Sequence, residues 1–423
     1  MSNSESTPRV TSDEKFFTKP IAIIFVTIFI DLVGFGIVIP ALPYYAKAPG
    51  FMATPFEIGM LFASYSAMQF IFAPILGGLS DRYGRRPVLF ISLLGSAAGY
   101  LILGFATSVA VLFVGRIIAG ITGGNIATAQ AYIADLTTKE NRAKGMGLFG
   151  AAFGLGFVFG PAIGGILSRY GVEVPFLFAS VLTFANAIAL YFVLPESLKP
   201  EDREDTARGS RPNRFAEVWN TLRDSKFSVL AFLYFLLVTA FSIMTASFTL
   251  YTMYRFGYDA EVNGYLFAYV GILAVIFQGV AFGRLAKRFG EAALTVFGSL
   301  VLAGALFVVP YVGPDFGGLT GLLIGIAFFS LGNSLSSPAL SSLASKIADP
   351  KEQGKAMGVM QSAASLARAI GPAIAGVLLN NAVGDIDDYT IFRTFWAAAG
   401  LMGITFVVAI YFAQVKMKKI ELP

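Results

Sequence analysis

Long apolar runs separated by short polar loops fill almost the whole chain, and the length of these runs sets the architecture. Each approaches or exceeds about 20 residues, enough for an α-helix to cross a hydrocarbon core about 30 Å thick. Closed β-barrels are the other way to satisfy a backbone in lipid, but they read as short segments of alternating polarity. The runs here are continuous and rich in Gly, Ala, Leu and Phe. The pattern predicts helical spans at 20–42, 56–79, 88–107, 109–131, 144–168, 175–195, 227–250, 261–283, 292–311, 317–340, 355–379 and 391–413. The expected fold class is an all-α membrane protein of twelve transmembrane helices.

The polar positions divide these spans into two sets. Residues 1–19 form a polar tail, 20–195 a first six-helix bundle, 196–226 a charged, proline-bearing linker, 227–413 a second bundle and 414–423 a closing tail. Within the linker, Phe215, Val218, Trp219 and Leu222 fit either a short amphipathic surface helix or an irregular loop. The halves resemble copies of one unit. Gly77 to Arg85 after span two matches Gly283 to Glu291 after span eight, and Gly160-Pro161-Ala162-Ile163-Gly164-Gly165 matches Gly371-Pro372-Ala373-Ile374-Ala375-Gly376. Two pseudo-symmetric bundles around a central site are a known transporter plan.

Charge supports the membrane reading and orients it. Only 13% of residues are charged, against roughly a quarter in soluble domains. Lys and Arg gather in alternate loops, including Arg82, Arg85 and Arg86, Lys346 and Lys351, and the final tail, which predicts that both termini are cytoplasmic. The net charge of +5 therefore reflects topology, and no nucleic-acid partner is expected. The chain has no Cys and no His. With no disulfide, thiolate or imidazole chemistry available, neither a metal nor a cofactor is expected, and no Walker-type phosphate loop is present.

Ionisable groups at membrane depth are costly and point to function. Three stand out: Asp31 in span one, Arg116 in span four and Arg368 in span eleven. Asp31 is the one deep carboxylate, so it is the candidate proton carrier. Counting along the helices places Arg116 at a similar height, and an arginine that moves relative to Asp31 would change its proton affinity. A static ion pair is the alternative. Gln361, Ser365 and Arg368 share a helix face that could line a substrate cavity, or Arg368 could bond backbone carbonyls instead. Tyr65 and Gln69, Asn125 and Asn333 are further candidate contacts, with interhelical hydrogen bonding as their plainer role.

Four strings also carry a family resemblance. Gly77-x-Leu79-x-Asp81-Arg82-x-Gly84-Arg85-Arg86 resembles the signature loop of the major facilitator superfamily, and Arg116-x-x-x-Gly120 is similar to its second motif. Gly156-x-x-x-Gly160-Pro161-x-x-Gly164-Gly165 resembles the motif of its antiporters, and Asp31 to Pro40 the opening of its tetracycline exporters. Where those exporters carry acids in spans three and nine, and some a histidine in span eight, this chain has Gly99, Leu302 and Ala274. The resemblance implies a monomeric proton/drug antiporter of the bacterial inner membrane, with the bilayer, protons and a small amphipathic substrate as partners. It implies no enzymatic activity. It also implies that Asp81 meets the start of span eleven and latches the halves on the inside, an aspartate being favoured near a helix N-terminus. The span-five glycines serve packing or coupling. A facilitator or nutrient symporter is the competing reading, and a membrane enzyme the remote one.

Overall fold

The computed structural model describes residues 18–137, 141–198, 225–348 and 353–417. Both tails and the candidate surface helix around Phe215 to Leu222 lie outside the described residues. Twelve helices are long and apolar enough to span a membrane: α1 (Lys19–Lys47), α2 (Pro55–Tyr83), α3 (Arg85–Gly104), α4 (Val109–Leu136), α5 (Gly147–Tyr170), α6 (Val174–Val193), α7 (Phe227–Phe256), α8 (Ala260–Phe289), α9 (Glu291–Tyr311), α10 (Gly318–Ile347), α11 (Ala356–Leu379) and α12 (Asp388–Gln414). Each coincides with one expected span, with differences at the ends. Several run a turn or more beyond the expected apolar stretch, and side-chain caps fix the start of others. Thr54 and Glu57 close a reciprocal capping box at α2, with Pro55 in the first turn, and Asp387 with Thr390 does the same at α12.

An even number of crossings puts both ends of the described chain on one side, called here the terminal face; the opposite side is the distal face. Helices α1–α6 and α7–α12 form two six-helix bundles that meet mainly through α2 against α11 and α5 against α8. The sequence repeat is a repeat of contacts. A Cβ placed on Gly160 would stand 2.7 Å from Gly36 Cα in α1, its own bundle, and one on Gly165 3.0 Å from Gly264 Cα in α8, across the interface. In the second copy Gly371 meets Ser242 of α7, its own bundle, and Gly376 meets Gly59 of α2, across the interface. The first glycine of each string seats the helix in its bundle, and the last brings the two bundles together.

These cross-bundle contacts are not uniform along the helices. Between α5 and α8 they are tight at Gly165 and Gly264 and still close at Gly271. They loosen to 3.8 Å between a Cβ on Gly154 and Val275, and Gly150 and Gly279 have open space beside them. On α2 and α11, Gly59 and Gly376 interlock, whereas Gly78 and Gly358 touch nothing. Among the described residues, the bundles are close together at the distal face and apart at the terminal face.

Candidate functional site

The polar residues of the first bundle converge where α4 loses its regular winding. Gly123 to Asn125 form a turn of 3₁₀-helix inside α4, an irregularity often found at functional positions. A Cβ on Gly124 would press to 2.9 Å from Ala73, so only glycine lets α2 pass this close. Gln69 donates to the Gly123 carbonyl at 2.8 Å and lies 3.4 Å from the Tyr65 hydroxyl. Asn125 points at Asp31, with Nδ2 3.5 Å from Oδ2.

Arg116 does not pair with Asp31. Its Nε donates to the Leu61 carbonyl at 3.1 Å, and its guanidinium lies over the Tyr65 ring at 4.3 Å and Phe62 at 5.8 Å. It is 1% exposed, and its Nη1 has no hydrogen-bond partner among the described residues. The expected similar height fails because Asn125, the contact of Asp31, lies nine positions beyond Arg116 on α4, roughly 13 Å nearer the terminal face. The Tyr65 and Tyr100 hydroxyls connect the two electrostatically, each lying within reach of both Asp31 and Arg116.

From the second bundle comes Arg368, half-buried, also within electrostatic reach of Tyr65 and of Tyr234 in α7. Its hydrogen bond among the described residues is to Ser365 on its own helix, at 3.0 Å. Gln361, one turn before Ser365, is exposed. Asn333 is half-buried on α10 and stands apart from this group, next to Ser334, which lies 3.4 Å from Gln278 in a π-helical stretch of α8. Phe35 completes the centre, its ring 5.5 Å from Tyr65 and 5.9 Å from Phe157 of α5. A groove of about 450 Å³ between α1 and α6 holds none of these charged side chains, being lined by residues such as Val26 and Ile30.

The signature loop folds into a buried cluster at the terminal face. Gly84 adopts a φ of 105°, the left-handed region that lets α2 turn directly into α3, and Gly290 repeats this at 78° between α8 and α9. Arg85 donates to Asp81 at 2.5 Å, to Ser80 at 2.7 Å and to Asp135 at the end of α4 at 3.2 Å. Glu196, after α6, accepts from the Arg85 and Arg86 amides at 2.9 and 3.2 Å. Arg86 also donates to the Tyr191 carbonyl, while Arg82 is exposed beside Tyr83. The expected contact of Asp81 with the start of span eleven involves side chains before Ala356 that lie outside the described residues. Sequence reasoning missed Asp135 and Glu196 because both looked like ordinary helix-end charges. It also missed a charge-reversed copy: Glu291, which aligns with Arg85, accepts from Lys346 at the end of α10.

At the distal face the pairs run between bundles. Lys47 of the first meets Asp385 of the second at 3.1 Å, and Arg169 forms an ion pair with Glu261. Asn263 of α8 donates to the Tyr44 hydroxyl at 2.7 Å and accepts from Thr252 at 2.7 Å, and Tyr44 donates to the Tyr258 carbonyl. Hydrogen bonds from Lys47 and the Ile386 amide hold the Asp385 carboxyl below its usual range.

The model of the Major Facilitator Superfamily matches residues 24–322 and 305–422. The chain belongs to this superfamily. Among curated relatives, the class H tetracycline resistance protein of Pasteurella multocida is 32% identical, the alignment covering 94% of this chain and 97% of that one. The class C protein of Escherichia coli is 35% identical over 82% and 86%. Multidrug resistance protein 2 of Bacillus subtilis is 29% identical over 84% and 87%. Among solved structures, the human organic anion transporter MFSD10 (TETRAN) is 27% identical, with a TM-score of 0.67 over 92% of this chain and 99% of that one.

Gly99 and Leu302, two positions where the resemblance to tetracycline exporters implies acids, are packed shut. A Cβ on Gly99 would stand 2.8 Å from that of Ala119, and Leu302 is fully buried against Gly332. Neither side chain position opens on the centre.

Proposed function

We propose that this chain is a proton-coupled antiporter that exports a small amphipathic molecule by alternating access. In this reading it acts as a monomer in the cytoplasmic (inner) membrane with its terminal face in the cytoplasm, so the structure is its inward-facing state. The observation that carries the proposal is Asp31: the other carboxylates of the described spans lie at or near helix ends, whereas Asp31 sits midway along α1, half-buried and held by one 3.5 Å amide contact. A carboxylate so placed can exchange a proton when its surroundings change, since burial favours the neutral form and a neighbouring cation the charged one. Arg116 and Arg368 supply cations on helices of different bundles, so rocking one bundle against the other alters the field at Asp31. The relatives named for tetracycline and multidrug resistance support an exported drug-like substrate.

The Arg85 cluster has a second part in this cycle. It ties the ends of α2, α3, α4 and the segment after α6, so the first bundle moves as one body. The glycines of α5 serve both suggested purposes, three seating α1 and Gly165 meeting α8.

The test is transport by purified protein in proteoliposomes with an imposed proton gradient. Asp31→Asn is expected to lose at least tenfold in gradient-driven flux while retaining exchange of labelled for unlabelled substrate. Undiminished gradient-driven flux in this variant would rule the scheme out.

A further inference from the structure

Opposite charges face the centre from the two bundles without neutralising one another. Gly59 and Gly376 fix the register of α2 against α11. Gln69 lies ten positions from Gly59, roughly 15 Å toward the terminal face, and Arg368 lies eight positions from Gly376, roughly 12 Å in the same direction. Gln69 bonds the carbonyl of Gly123, two positions from the Asn125 that contacts Asp31. Asp31 and Arg368 therefore stand within about one helical turn of each other in depth, on opposite bundles, each within electrostatic reach of Tyr65.

Neither belongs to an ion pair among the described residues, and both are half-buried with a polar neighbour on their own bundle, Asn125 or Ser365. Unpaired charges at membrane depth are retained where they bind something. A simple cation brought to Asp31 would sit in the field of Arg368 and Arg116. A simple anion brought to Arg368 would meet Asp31 whenever its proton leaves. A molecule carrying both signs answers both groups, and the half-buried ring of Phe35 offers its apolar body a surface.

We infer that the central site takes an amphipathic zwitterion, its anionic end on Arg368 and Ser365 and its cationic end at Asp31 and Asn125. This rests on the antiporter reading above and adds a charge balance to it. On the terminal side the substrate's ammonium displaces the proton of the Asp31 carboxyl, and that proton leaves to the same side. On the distal side the zwitterion departs and a proton returns to Asp31. The zwitterion carries no net charge, so each cycle moves one positive charge toward the terminal side.

The experiment uses the full chain in proteoliposomes and three labelled probes: an aryl-piperazine carboxylate, its methyl ester, which is only a cation, and its N-acetyl derivative, which is only an anion. The zwitterion is expected to be moved with a kcat/KM at least tenfold above either derivative, and faster when the terminal side is made electrically negative. Arg368→Gln should lower the ratio of zwitterion to ester transport about tenfold, and Arg368→Lys, which keeps the charge, should restore part of it. Equal handling of zwitterion and ester, equal losses for all three probes in Arg368→Gln, or no binding of the zwitterion would overturn the inference. Transport of the zwitterion that ignores the proton gradient would overturn the antiporter reading instead.

Discussion

The two faces of the molecule use similar materials in opposite ways. At the distal face, glycines press backbone to backbone across the bundles, and the charges of Lys47, Asp385, Arg169 and Glu261 pair between them. At the terminal face, the glycines of the same helices have open space beside them, and the charges of Arg85, Asp81 and Asp135, like those of Glu291 and Lys346, pair within a bundle. Contacts between bundles hold a conformation, and contacts within a bundle keep its shape while the conformation changes. Alternating access therefore has to break the distal set and leave the terminal clusters whole.

The largest effect that would sharpen this contrast is expected from Gly59→Val. Its side chain would collide with the backbone of Gly376, which no change of rotamer relieves. Overpacking of this kind costs about 1–3 kcal/mol, so distal closure should weaken roughly 5- to 150-fold. Gly279→Val, on a terminal stretch that touches nothing, should change it less than about twofold. A single Gln361→Cys reporter in this naturally cysteine-free chain reads the change as lost thiol labelling from the terminal side. Equal effects of the two valines would break the comparison.

A smaller shift should follow Asn263→Ala, which removes the amide that donates to the Tyr44 hydroxyl across the bundles and accepts from Thr252. Losing a buried hydrogen bond costs about 1 kcal/mol, or roughly fivefold in the same labelling assay. The smallest is Lys47→Ala, because Asp385 is 67% exposed and such pairs are worth little. Less than about threefold is expected, and nothing measurable at 1 M salt. The pH dependence of this pair follows its sign. The Asp385 carboxyl is depressed in the closed state, so its contribution is present above the free aspartate pKa of about 4 and is lost as the pH falls through the depressed value. Acidifying the distal side to about pH 5 should leave labelling unchanged, and a loss of closure there would point to a different group.

The spans and the duplication were legible in the sequence because burial in lipid demands long apolar helices, and because Gly160 to Gly165 and Gly371 to Gly376 repeat almost residue for residue. Asp31, Arg116 and Arg368 were legible as isolated charges in apolar runs. Their partners were not. Counting along ideal helices put Arg116 level with Asp31, but the path of α4 and its turn of 3₁₀-helix bring Asn125 there instead, and Arg116 turns to Leu61 and Tyr65. The sequence marks Asn125 as a possible substrate contact, and only its place after Gly123-Gly124 hints at a special geometry. The pairing of Glu291 with Lys346 could have been found by aligning the repeats and allowing both signs to reverse together.

By itself, then, the amino-acid order determined what local physics controls: where the chain leaves lipid, which residues cap or turn a helix, and which charges are stranded at depth. Which charges face each other, and which end of the molecule is closed, only the packing of helices far apart in the chain decided. The reason is that a stranded charge advertises its cost through its immediate neighbours, whereas its partner is set by helix tilt, register and the close passages that Gly36, Gly59 and Gly124 allow.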